Sequence, residues 1–80
     1  MSTLYKVDKE TVRPFRLYDA VTKKYVRYRN YKVKDNAHIG ALIQARWAAV
    51  GTTLEVVNFH KGTLIGQYTR GVNDIKFLKG

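Results

Sequence analysis

DNAHIGALIQARWAAVGTT, residues 35–53, decides the fold. It is the one stretch of the chain with helical spacing; the rest reads as strand and turn. Asp35 or Asn36 is the expected N-cap, since either side chain accepts a hydrogen bond from a free N–H of the first turn. Gly51 is the expected C′ residue, because glycine tolerates the left-handed conformation that ends helices. Gly40 is the one weak helix former between them. At about 100° per residue, Ala37, Ala41, Leu42, Ala45, Ala48 and Ala49 gather on one arc, and Ile39, Ile43, Trp47 and Val50 on a second. Two arrangements follow. Either the alanines lie against a sheet and the larger arc meets another chain, or both arcs form one broad core face with Arg46 extended along its stem.

Working outward, residues 13–20 read as a strand. Phe15 and Leu17 share one face, Arg16 and Tyr18 the other, and Pro14 fits near the start. Residues 19–24 read as a turn, and 25–33 as a second strand rich in β-formers. Simple alternation sends Val26 and Tyr28 one way and Tyr25, Arg27, Arg29 and Tyr31 the other. Beyond the helix, residues 53–59 and 64–70 form a second hairpin around His60-Lys61-Gly62, and 75–78 add a short last strand. The hairpins align weakly, Leu17-Tyr18-Asp19 on Val56-Val57-Asn58. The expected fold is α+β in ββαββ order: an antiparallel sheet of four to five strands with one helix packed on one face. Residues 1–80 make one small domain, with 1–12 a tail or, through Leu4, Tyr5 and Val7, an edge strand.

Composition narrows the function. The chain has 80 residues and a formal net charge of +9, which predicts attraction to polyanions or to an acidic protein surface. There is no cysteine, hence no disulfide framework and no thiolate chemistry. The first residues, MSTLYKVDKE, hold no apolar signal segment, and no run reaches membrane-spanning length. The expectation is a cytoplasmic protein with no membrane partner.

Catalysis is not expected. Asp8, Glu10, Asp19, Asp35, Glu55 and Asp74 are scattered over tail, turns, cap and strand, with no two at a spacing that aligns them on one face. His38 and His60 lie on different elements without neighbours at metal-ligand spacing, and His38 reads as a surface or packing residue. No metal or cofactor is predicted, and no glycine-rich phosphate loop precedes a helix.

The strongest constellation is the outer face of the first hairpin. With Phe15, Leu17 and Val26 toward the helix, Arg16, Tyr18, Tyr25, Arg27, Arg29 and Tyr31 face outward. Lys23 and Lys24 crown the turn, and Lys32 and Lys34 extend the charge toward the helix. Cations neutralise phosphates, and tyrosine rings stack on unpaired bases without regard to sequence. Such interleaving on a sheet suits single strands or RNA. The expected function is therefore non-catalytic nucleic-acid binding. The second hairpin leaves Val57, Phe59, Leu64 and Tyr68 opposite its core residues Leu54, Val56 and Ile65, a pattern that predicts a protein contact. A homodimer through Ile39, Ile43, Trp47 and Val50 is the expected assembly if the alanines face the sheet.

LYDAVTKKYVRY, followed by AHIGALIQARWAAVGTTLEVVNFHKGTLIGQY, resembles small proteins of unassigned role encoded by tailed bacteriophages. The likeness covers residues 15–68 and lies in the order strand pair, alanine-rich helix ending in glycine, strand pair with a glycine turn. It implies action in the host cytoplasm, on nucleic acid or on a host protein complex. The alternative function is accordingly an inhibitor or modulator that docks on an acidic protein of a bacterial host. The resemblance assigns no site residues.

Overall fold

The computed structural model describes residues 7–79. The elements run β1 (Phe15–Asp19), β2 (Tyr25–Tyr31), α1 (Lys34–Trp47), β3 (Thr53–Asn58), β4 (Thr63–Arg70) and β5 (Ile75–Lys79). The strands form one antiparallel sheet in the order β2-β1-β3-β4-β5, and α1 packs across one face. The fold is thus α+β, with the last short strand as fifth member and second edge. Among the described residues no helix is long and apolar enough to cross a membrane.

Small side chains decide which way the helix faces. Ala37, Ala41 and Ala45 are fully buried against Leu17, Leu54, Val56 and Tyr68 of the sheet. The larger arc points away: Ile39, Ile43, Trp47 and Val50 are 55, 47, 82 and 58% exposed. The single broad core face is therefore excluded. Methyl-sized residues let the helix backbone come close to the pleated surface, and the largest fully buried side chains among the described residues, Tyr68, Leu17, Val56 and Val57, are all supplied by strands.

Gly40 makes the closest approach. A Cβ there would sit 2.6 Å from Cζ of Tyr31, whose ring lies across the helix at this point. Gly40→Ala gains about 1 kcal/mol of helix propensity. It also forces Tyr31 off the helix, and overpacking typically costs about 1–3 kcal/mol. The expected result is a net loss of stability in denaturant melts. Tyr31→Ala in the same chain should reverse the sign, since propensity alone then remains; a Gly40→Ala protein more stable than wild type would show that the contact is soft.

Both expected caps are corrected. The N-cap is Val33, with no side-chain cap bond, and Asp35 and Asn36 lie inside the first turn. Asp35 still favours the positive end of the helix through its charge. The helix stops at Trp47, with Ala48 already extended at ψ 162°, so Gly51 is not its C′ residue. Gly51 instead takes φ +93° in the turn that follows, where its N–H donates to the Arg70 carbonyl at 2.8 Å. The Arg70 guanidinium reaches the carbonyl of Arg46 at 3.4 Å, serving an end that the local sequence leaves open.

Two bulges overturn the simple alternation. Between Arg16 and Tyr18 the partner in β2 jumps from Asn30 to Tyr25, so β2 carries extra residues around Tyr28. Arg29 and Tyr31 therefore turn to the helix side, whereas Arg16, Tyr18 and Tyr25 occupy the opposite face. In β4 the register shifts opposite Val56 and Val57, with Ile65 as the additional residue. Tyr68 is consequently fully buried beneath the helix, and Val57 and Phe59 are buried on the far face. Of the outward cluster expected on the second hairpin, Tyr68 has changed faces, and Val57, Phe59 and Leu64 share the far face with Val57 and Phe59 buried rather than exposed.

His38 is buried in the first half of the helix, its Nδ1 2.5 Å from the Tyr68 hydroxyl. Gly66 makes room for the ring: a Cβ there would stand 2.7 Å from His38 Cε1. His38 is thus a packing residue, with its polar edge satisfied inside the core. Residues 7–12 form no strand, and they run beside Phe59, with the Asp8 N–H donating to the Phe59 carbonyl at 2.8 Å. The strand contribution expected of Leu4 and Tyr5 lies outside the described residues.

Candidate functional site

The twelve residues 23–34, KKYVRYRNYKVK, contain six cations and no acid. They span the end of the first turn, all of β2 and the entry to the helix, so the charge lies along one edge of the sheet. Lys24, Arg27, Lys32 and Lys34 are exposed. Lys34 stands at the positive end of the helix dipole, where a cation is disfavoured by about 0.3–1 kcal/mol.

The residues expected on one outward face are divided by the bulge. Arg16 lies over the Phe59 ring, its Cζ 4.3 Å from the centroid, and donates from Nη2 to Thr11 Oγ1 at 3.1 Å. Tyr18 is half-buried and stacks on Phe59 at 5.9 Å with 10° between the ring planes. Burial raises its hydroxyl above the ordinary tyrosine value, opposed by the Arg16 charge. Arg16 ties the segment leading into β1 to this end of the sheet, and Tyr18 packs on Phe59, the residue that follows β3. Tyr25 is more open, and its hydroxyl accepts from Asn30 Nδ2 at 2.9 Å. Lys23 extends to the buried carboxylate of Glu55, Nζ to Oε1 3.1 Å, and Gln67 Nε2 donates to Oε2 at 3.3 Å. A carboxylate in that setting needs its cation, so Lys23 has structural work on the far face.

Arg29 and Tyr31 belong to a different surface, a groove of about 350 Å³ between the β2 edge and the helix. Ile39 and Ile43 form its apolar side. With its amide oxygen toward Arg29, Gln44 accepts from Nε at 3.0 Å and from Nη2 at 2.7 Å. This holds the guanidinium at the groove mouth. The groove joins the basic edge to the exposed apolar row of the helix, so the two surfaces inferred from the sequence are contiguous.

Simple alternation misplaces Tyr28 as well as Arg29 and Tyr31. It sends Tyr28 inward with Val26, yet Tyr28 is 80% exposed and has φ +66°. Arg27 Cζ lies 5.8 Å from its ring centroid. Left-handed backbone costs a residue with a side chain about 1–2 kcal/mol, and strain of this kind gathers at functional sites. The sequence signal pointing to it is weak: an aromatic between two arginines, in a strand whose register nothing nearby enforces.

His38 and His60 lie apart in the fold as in the sequence. His60 sits in the β3–β4 turn with Nε2 2.9 Å from the Thr11 carbonyl oxygen, while His38 faces Tyr68 in the core. No protein-family model, curated protein or solved structure matches the chain.

Proposed function

We propose that this protein binds nucleic acid without catalysis, through the basic edge formed by β2 and its flanks. The observation that carries the reading is the acid-free run of six cations at residues 23–34, set along one edge strand and its two flanks, with Lys24, Arg27, Lys32 and Lys34 exposed. Charges so placed can follow a phosphate backbone, and each neutralised phosphate releases counterions. Lys23, Arg16 and Tyr18 contribute mainly by holding the hairpin in shape.

Lys24→Ala combined with Arg27→Ala is expected to weaken binding to both single- and double-stranded oligonucleotides. The slope of log affinity against log salt should fall by about one unit for each phosphate left without its cation. Lys76→Ala, on the opposite edge strand β5, should leave affinity and slope unchanged. Equal effects at the two edges would reduce the interaction to net charge and overturn the assignment of a site.

The exposed helix row supports a second, compatible reading: self-association. Asp35 and Arg46 lie toward opposite ends of α1. Two helices crossing antiparallel about a two-fold axis would bring Asp35 of each copy toward Arg46 of the other, oppose the helix dipoles and cover Ile39, Ile43 and Trp47. The occupant that matches both charge and apolar pattern is a second copy of the chain. A dimer would also carry two basic edges in one particle and raise avidity for a long polyanion.

A further inference from the structure

We propose that Tyr28 is a stacking site for an unpaired nucleobase, with Arg27 as the cation beside it. The proposal rests on the polyanion reading of the basic edge and narrows it to single strands. Three observations converge on this residue. Its backbone holds φ +66° within the β2 bulge, a conformation that glycine or asparagine would adopt at less strain. The side chain is 80% exposed, so that strain serves no core contact. The Arg27 guanidinium also lies over one face of the ring, Cζ 5.8 Å from the centroid, within a run of cations, so a base stacked on the other face has its own phosphates within reach of a guanidinium.

The chemistry favours unpaired bases. A tyrosine face gains by stacking on any base whose own face is open, and a duplex closes those faces inside its stack. Arginine next to the ring adds attraction to the backbone and to the base plane. A bulge on an edge strand also turns the strand away from edge-to-edge pairing with another sheet. That geometry suits a nucleic-acid single strand better than a protein strand.

The test measures fluorescence anisotropy of a labelled oligothymidylate and of a duplex of the same length, over a series of salt concentrations. Tyr28→Ala should weaken single-strand binding on the order of five- to a hundredfold. It should change duplex binding less than about twofold and leave the salt slope intact, because every cation that meets a phosphate is still in place. Tyr28→Phe should bind as wild type. Tyr28→Gly, which suits the backbone angle, should be as weak as Tyr28→Ala while melting at the same temperature or higher. Equal losses on both probes, or none, would overturn the stacking site and leave the basic edge standing. A wild-type protein that binds neither probe would overturn both.

Discussion

Tyr68→Ala is expected to remove most of the protein's stability. Tyr68 is the largest fully buried side chain. It fills the space between sheet and helix, stacks on Phe77 at 5.9 Å and holds His38 through its hydroxyl. Truncating a buried aromatic costs about 3–5 kcal/mol. A chain of this length has roughly 4–12 kcal/mol in all. The variant should lose its cooperative thermal transition or melt at least about 15 °C lower. Retention of the wild-type midpoint would mean that the core does not depend on this residue.

Tyr68→Phe separates the hydroxyl from the ring. It removes one buried hydrogen bond to His38 and should cost about 1–3 kcal/mol. It should also change the response to alkali. Burial raises the Tyr68 hydroxyl above the ordinary 10.0, so the folded state keeps its proton after the unfolded chain has lost it. By linkage, this contribution is fully present below the unfolded value and declines as pH rises through the folded one. Tyr18 shifts in the same direction. Wild-type stability should thus fall in denaturant melts taken above about pH 10, and Tyr68→Phe should fall less steeply. Parallel curves for the two proteins would assign the alkaline loss elsewhere.

The second large effect is expected at Ile43→Glu. Ile43 is 47% exposed on the helix row, and the alanines beneath carry the packing, so the variant should fold as wild type by circular dichroism. In the proposed dimer each copy buries this side chain near the two-fold axis. A buried aliphatic side chain contributes about 1.5–3 kcal/mol, and two copies lose it together. The dimer dissociation constant should rise by about two to four orders of magnitude, before any repulsion between the two carboxylates. Light scattering should therefore report a dimer for wild type and a monomer for the variant. A wild-type protein that stays monomeric at high concentration would remove the dimer while leaving the basic edge untouched.

Where the side-chain pattern is strong, the sequence can be read directly. The helix, both hairpins, the short last strand and their order follow from periodicity and turn residues, with Gly62 at φ +66° where a turn is expected. The alanine arc and its larger opposite are visible as two arcs, but their direction is not. Which arc is buried depends on what the sheet presents, and here Leu17, Leu54, Val56 and Tyr68 already fill the volume a larger helix face would need. The C-terminal end differs from expectation because a group distant in sequence, the Arg70 guanidinium, serves it, whereas the N-cap Val33 makes no side-chain cap bond.

The candidate site shows the same division more sharply. The positive charge of residues 23–34 is a property of composition, and the order of amino acids is enough to make one edge of this protein basic. It is not enough to say which rings and guanidinium groups share a face. Side chains alternate along a strand only while its register holds, and the β2 bulge breaks that register in its middle. Tertiary packing sends Tyr31 onto Gly40, gives Arg29 to Gln44 and turns Tyr28 outward. Charge acts over distance and survives such a shift, whereas stacking requires a particular ring on a particular face. The basic edge is therefore legible from the chain alone, and the aromatic residue displayed on it is set by the fold.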